Sequence, residues 1–350
     1  MNTELPEAFD GPDAWVSSDL SSDPDAWIKV LDEIEINELQ SAAQAYLNTG
    51  RDIGQLSIDD FKLPQFSSYL QKLKNKLLKG NGIEVIRGLP VADYSQPLAA
   101  CIFCGIGAHL GSARSQNAKG HVLGHVRDIG LSSSDPTARI YQTSERQSFH
   151  TDSADVVGLL CLKKAQSGGE SLLVSALSIY NRFKEMRPDL LPLLFEPVAT
   201  DRRGEIPQGA QPFMTIPVFS WFEQHLTVFY QRQYIDSAQR FDDAPRLTGE
   251  HREALDLFDA LANDPSLHFA MQLEPGDMQS VYNHSQLHDR TGFVDWPDAS
   301  ERRHLLRLWL SIEGDRNLPE CFKQRYGSIE PGNRGGIITG ETRLHAPLDG

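Results

Sequence analysis

Apolar residues in the first third of the chain recur at helical spacing. Ile34, Leu39, Ala42, Ala43, Tyr46 and Leu47 predict one helix that stops at Gly50. Leu70, Leu73, Leu77 and Leu78 predict a second, between Pro64 and the Gly80-Asn81 stop. Residues 83–87 read as a short strand, followed by a Gly88-Leu89-Pro90 turn and an apolar helix over 98–110. From about residue 138 the pattern shortens to strand-like runs at 138–143, 156–162, 171–175, 226–230, 278–282 and 305–312. Turn clusters such as Ser167-Gly168-Gly169 and Pro275-Gly276-Asp277 separate them, and helical periodicity returns only at 179–186 and 250–262. Many short strands with Gly and Pro punctuation predict a mainly β fold with α decoration, a sandwich or jelly roll. There is no internal repeat. The expected organisation is a helical N-terminal cap over residues 1–82 packed on a core over 83–350, as one unit. The Gly-rich tail after Pro319 receives no assignment.

Composition changes this picture little. Hydrophobic residues make up 40% and charged residues 23%, which permits an ordinary buried core. Charge narrows the partners: 48 acidic against 33 basic side chains give a net charge of −15, a field that repels phosphate backbones and anionic lipid. A small-molecule partner is expected, without nucleic acid or membrane; the oligomeric state is open, a homo-oligomer included. Residues 1–15 lack a basic stretch followed by an apolar one, and the strongest apolar run, 156–162, is far too short to span a bilayer, so a cytoplasmic location is expected. Of the four cysteines, Cys101 and Cys104 form a C-x-x-C, but with no second pair and within an apolar helix they read as two core residues one turn apart.

Candidate chemistry starts at Phe149-His150-Thr151-Asp152. An imidazole and a carboxylate two residues apart point to the same side of an extended segment. Alone, such a pair is weak evidence and more often an ordinary strand-end pair. Tyr282-Asn283-His284-Ser285-Gln286-Leu287-His288 offers a third ligand, with His284 and His288 on one face of a strand. Two histidines and one carboxylate leave three positions open on a metal, as iron(II) oxygenases require. Arg302, Arg303 and Arg307 follow, Arg303 and Arg307 sharing a strand face, and a guanidinium fork suits the far end of a buried dicarboxylate. Gly168-Gly169-Glu170-Ser171 places a hydroxyl at the start of a strand. Gln147 and Tyr141 stand where they could line a pocket.

Four motifs together, Phe149-His150-Thr151-Asp152, Gly168-Gly169-Glu170-Ser171, Pro275-Gly276-Asp277-Met278 and Leu287-His288 followed by Arg302-Arg303-His304-Leu305, resemble the taurine dioxygenase (TauD/TfdA) and clavaminate synthase-like group of 2-oxoglutarate oxygenases, over about residues 83–315. The resemblance implies a distorted double-stranded β-helix, a cupin-like jelly roll. It implies a dioxygenase using Fe(II), 2-oxoglutarate and O2 to oxidise, by hydroxylation, a small organic substrate, releasing succinate and CO2. It implies His150, Asp152 and His288 as iron ligands, in preference to His284, and Ser171 and Arg303 as the residues holding the distal carboxylate of 2-oxoglutarate. The presence of Asp152 resembles hydroxylating rather than halogenating relatives. Arg307, Gln147 and Tyr141 are the substrate-contact candidates. Two competing readings remain at this point: a zinc hydrolase using the same ligands with an activated water, and a non-catalytic jelly-roll binding protein.

Overall fold

In the computed structural model, residues 5–131, 140–338 and 342–348 are described. Two β-sheets face each other. The larger runs Ile28–Val30, Ile83–Arg87, Met278–Tyr282, Val156–Lys163, His304–Ser311 and Ser112–Ala113, with Leu123–Val126 also paired to His304–Ser311. The smaller runs Phe269–Met271, Ser171–Ser175, Gln286–Arg290 and Gln147–His150. Every pair in both sheets is antiparallel except the edge pair of Ile28–Val30 with Ile83–Arg87. This is a jelly roll, and the core between its sheets holds Val85, Val126, Cys161, Val281 and Leu305 from one and Leu173, Phe269 and Met271 from the other.

Strand alternation explains why the central strands read as mostly apolar runs. In Val156–Lys163 and His304–Ser311, Cys161 and Leu305 point between the sheets, while Val156, Leu160, Leu306, Leu308 and Leu310 point outward. That outer face is covered by the helices Glu33–Leu47, Ser67–Lys79 and Gln96–Leu110, through Leu39, Ala43 and Tyr46, then Leu70, Leu73 and Leu77, then Ile102 and Ile106. A strand buried on both faces has no polar side to show in sequence. The smaller sheet is covered likewise: Ala176–Met186 and Gly249–Ala262 set Tyr180, Phe183, Phe258 and Leu261 against Phe149, Leu172, Val174 and Leu287.

Two local expectations are corrected. The strand expected over 138–143 is a short 3-10 turn, Ile140–Gln142, where the carbonyl of Gln142 accepts from Ile129 N (3.1 Å) and not from a strand; residues 138 and 139 lie outside the described residues. Ile34 is 58% exposed, because Asp32 caps a helix whose buried stripe is Leu39, Ala43 and Tyr46, and Ile34 is rotated off it. The N-terminal region also contributes more than helices, since Ile28–Val30 forms the edge of the larger sheet. The C-x-x-C cysteines are buried in Gln96–Leu110, free and unpaired with each other.

Candidate active site

The strand Gln147–His150 ends on His150, and Asp152 lies just beyond it in a loop. The loop is pinned from two sides. Asp152 N donates to Asn283 Oδ1 (2.8 Å), whose amide donates back to the carbonyls of Asp152 (2.7 Å) and Ala154 (2.8 Å). Thr151 N donates to the carbonyl of Tyr230 (2.9 Å), and Thr151 Oγ1 accepts from Tyr230 N (3.0 Å). His288 stands on the neighbouring strand Gln286–Arg290, in register with His150, so the two rings meet with centroids 4.2 Å apart. His150 Nε2 is 3.8 Å from Asp152 Oδ1, and His288 Nε2 is 3.6 Å from Asp152 Oδ2.

Electrostatics keep His150 and Asp152 in their ligating forms. His150 Nδ1 is 2.9 Å from the carbonyl of Ser148, which accepts its N–H and leaves the Nε2 lone pair on the Asp152 side. Burial, reinforced by His288, lowers the His150 pKa to about 3, so the ring is neutral. Burial opposes ionisation of Asp152, but Arg307, then His288, override it and hold the carboxyl well below the usual range. The carboxylate is also fixed in place: Trp309 Nε1 donates to Oδ2 (2.8 Å), and Arg307 Nη1 lies 3.3 Å from the same oxygen. Arg307 is held in turn by its Nε donating to Gln116 Oε1 (2.8 Å), with the Gln116 amide on the carbonyls of Val122 and Arg307. Two imidazoles and one ionised carboxylate, their donor atoms within 4.8 Å of one another, fit iron(II).

His284, four residues before His288, is taken elsewhere. It is fully buried with Nε2 2.8 Å from Asp155 Oδ1, in a cluster completed by Asp315 and Arg334.

Two cavities meet at the His150 side of this site. Tyr141, Gln147, His150 and Arg307 line both. The first adds Ser171, His288, Gln279, Arg290 and Arg303 to apolar walls that include Val157, Leu159 and Leu305. The second adds Asp152, Thr200, Gln231, Tyr234, Trp309 and Arg325. In the first, Arg303 is 6% exposed, Nη1 has no hydrogen-bond partner among the described residues, and burial lowers its pKa to about 10. A buried guanidinium with an unpaired N–H is costly unless an anion completes it. Ser171 Oγ donates to Gln279 Oε1 (3.0 Å) in the same cavity. Gly169, at φ +76°, leaves room there: a Cβ at that position would lie 3.1 Å from Arg303 Nε. These features fit a bound dicarboxylate. Arg302, one residue away, is exposed.

Tyr141, Gln147 and Arg307 are therefore all brought to the shared wall. Gln147 Nε2 is 2.9 Å from His150 Nε2, and the Arg307 guanidinium lies 4.8 Å from the Tyr141 ring centroid and 4.9 Å from that of Trp309. Trp309, Gln116, Asn283, Arg290 and Arg325 were not singled out from sequence. Only Trp309 had a signal to find it by: it continues the 303, 305, 307 alternation onto the same face. Arg290 is buried two positions after His288 on its strand and donates to the carbonyl of Thr143 (2.9 Å).

A jelly roll carrying a two-histidine, one-carboxylate face beside an arginine-lined dicarboxylate cavity defines a non-haem iron oxygenase of the 2-oxoglutarate class. Residues 45–309 match the sequence profile of the taurine catabolism dioxygenase TauD, TfdA family, and the chain belongs to that family. It is 32% identical over 330 residues to FR-33289 synthase of Streptomyces rubellomurinus, covering 92% of this chain and 96% of that one. It is 31% identical over 306 residues to a taurine hydroxylase-like protein of Stachybotrys chartarum, covering 84% and 77%. The asparagine oxygenase structure with Fe(II), hydroxyasparagine and succinate superposes with a TM-score of 0.64 at 16% identity, over 81% of this chain and 93% of that one, which shows the shared fold. The chain is thus an iron(II)- and 2-oxoglutarate-dependent dioxygenase that oxidises an organic substrate with release of succinate and CO2. No helix among the described residues is long and apolar enough to cross a membrane.

Proposed function

We propose that His150, Asp152 and His288 hold the iron, that Arg303 and Ser171 hold the distal carboxylate of 2-oxoglutarate, and that the small-molecule substrate enters the second cavity, where Arg307, Gln147 and Tyr141 meet it. The observation that carries this reading is the pair of cavities sharing one wall at His150. One has a buried, unpaired guanidinium for a dicarboxylate, and the other has none of the residues Ser171, His288 and Arg303. When bound, iron with 2-oxoglutarate and O2 supplies the oxidising power. The protein's own part is placement and protection. Trp309 and Arg307 stop Asp152 from rotating or taking up a proton. Ser148 fixes the His150 tautomer. Val157, Leu159, Leu273 and Leu305 exclude water around the dicarboxylate, so that Arg303 acts in a medium where charge pairing is strong. The same reading takes residues 1–82 as a cap on an oxygenase unit over 83–350; in its support, Leu39 and Leu70 share a core with Leu160 and Leu306.

Anaerobic titration with iron(II) and then 2-oxoglutarate tests this. About one iron per chain and a metal-to-2-oxoglutarate charge-transfer band are expected, both lost in Asp152→Ala. Unchanged iron stoichiometry in that variant would overturn the ligand assignment. A zinc hydrolase on the same ligands would have no use for the unpaired Arg303, and it predicts zinc-supported turnover without succinate.

A further inference from the structure

Asp152 lies past the end of its strand, where no sheet ladder holds its backbone, yet the geometry of a metal face depends on where that backbone stands. Trp309 and Arg307 reach only the carboxylate, and both reach the same oxygen, Oδ2. They orient the group without placing the chain that carries it. Both backbone polar groups of Asp152 go instead to one side chain. Asn283 is fully buried; its Oδ1 accepts from Asp152 N (2.8 Å), and its Nδ2 donates to the carbonyls of Asp152 (2.7 Å) and Ala154 (2.8 Å). Its own N donates to the carbonyl of Asp155 (2.9 Å), so a single residue spans the loop from 152 to 155. The hydroxyl of Tyr326 stands 3.5 Å from each of the same two side-chain-bonded carbonyls, at the outer limit of a hydrogen bond.

A carboxamide meets this demand because it offers an acceptor and a two-hydrogen donor side by side, whereas a carboxylate offers acceptors alone and would face two carbonyls. Asn283 is itself held firmly. It opens the three-residue turn 283–285 that carries the chain from Met278–Tyr282 in the larger sheet to Gln286–Arg290 in the smaller. Three other elements tie that turn down: Tyr282 N donates to the carbonyl of Gly82 (2.8 Å), and the carbonyls of His284 and Ser285 accept from Val228 N (3.0 Å) and Ala176 N (2.9 Å). The next residue, His284, meets Asp155 at the far end of the same loop. Further along the same segment stands His288. The bracket for one ligand and the other ligand itself therefore belong to one anchored stretch of chain, across which Asp152 Oδ2 lies 3.6 Å from His288 Nε2.

We propose that Asn283 is a positioning residue of the metal face: its carboxamide fixes the backbone of Asp152 relative to His288, and iron affinity depends on it although it donates no ligand atom. The proposal rests on the assignment of Asp152 and His288 as ligands. Partners one step removed from a metal set the orientation of its ligands, and their loss costs affinity without removing a ligand.

The test compares Asn283→Ala and Asn283→Asp with Leu70→Ala. Asn283→Asp keeps the shape and the acceptor for Asp152 N but puts a second oxygen where the amide donors stood. Leu70→Ala opens a cavity in the buried helical cap and lowers stability without touching the loop. Each full-length chain is titrated anaerobically with iron(II) and then 2-oxoglutarate, and amide hydrogen exchange over residues 150–155 is followed without metal. Both Asn283 variants are expected to bind iron about 10- to 100-fold more weakly, to shift the maximum of the iron–2-oxoglutarate band at saturating metal, and to exchange the Asp152 N–H faster. Leu70→Ala should match the wild type in all three. Wild-type iron affinity and band in Asn283→Asp, or an equal loss in Leu70→Ala, would overturn the proposal. Iron retained by Asp152→Ala would instead count against the ligand assignment. The exchange measurement needs no metal and decides separately whether Asn283 holds the loop, unchanged exchange in both Asn283 variants being the contrary result.

Discussion

Two buried clusters in this molecule are built from the same parts and end in opposite states. One holds His150, Asp152 and His288 with Arg307; the other holds His284, Asp155 and Asp315 with Arg334, and in each the three candidate donor atoms lie within 4.8 Å of one another. In the second, the arginine enters the centre. Arg334 Nε donates to Asp155 Oδ1 (2.7 Å) and Nη2 to Asp315 Oδ2 (2.8 Å), Tyr282 OH donates to Asp315 Oδ1 (2.5 Å), and Ile312 N donates to Asp155 Oδ2 (2.8 Å). Its charges are answered from within. In the first, Arg307 approaches from behind and touches only one oxygen of Asp152, leaving the Nε2 atoms of both histidines on the open side. Ligand type alone does not make a metal site; what distinguishes the two is whether the protein's own cation fills the middle.

The comparison is broken most sharply by Arg334→Met. Two carboxylates would be left buried without the guanidinium that pairs with both, a loss of about 3–5 kcal/mol in unfolding free energy, measured by denaturant titration. A loss below about 1 kcal/mol, the range of an exposed pair, would show that the cluster is not the closed charge network described. On the open side, Arg303→Ala leaves the dicarboxylate's far end unpaired. The expected cost is about 2–5 kcal/mol, or roughly 30- to several-thousand-fold weaker 2-oxoglutarate binding, with Arg303→Lys recovering little. Iron affinity should survive both changes, and wild-type 2-oxoglutarate affinity in Arg303→Ala together with loss in Arg307→Ala would shift the assignment one inward-facing pair along the strand. Trp309→Phe keeps an aromatic side chain but removes the indole N–H that bonds Asp152, so iron should bind about 10- to 100-fold more weakly; unchanged affinity would mean the carboxylate needs no such brace. Ser171→Ala is expected to weaken 2-oxoglutarate binding only a few-fold, about 1 kcal/mol, because a neutral hydroxyl leaves and Gln279 stays.

How much of this could be read in advance follows from how local each contribution is. His150 and Asp152 are neighbours in sequence, and Ser171 and Arg303 sit in short motifs, so spacing was enough to bring them forward. The strands 278–282 and 305–312 were legible because burial on both faces leaves them mostly apolar, whereas the run expected over 138–143 holds a 3-10 turn, Ile140–Gln142, in its described part. A shared strand face left His284 and His288 both open, and the resemblance favoured His288. Register supports that preference, since His288 pairs with His150 across the sheet while His284 faces Asp155. Arg334 and Arg325 lay beyond reach, because the tail that carries them is Gly-rich and aperiodic and gains meaning only from contacts with residues more than 150 positions away, Asp155 and Ser153.

The most direct measurement is anaerobic iron(II) titration of His288→Ala and His284→Ala side by side, with circular dichroism to verify that each is folded. The two-cluster account predicts that His288→Ala loses stoichiometric iron and the 2-oxoglutarate band while keeping wild-type stability, and that His284→Ala keeps both iron and band while unfolding more readily. Iron binding retained in His288→Ala and abolished in a folded His284→Ala would contradict it.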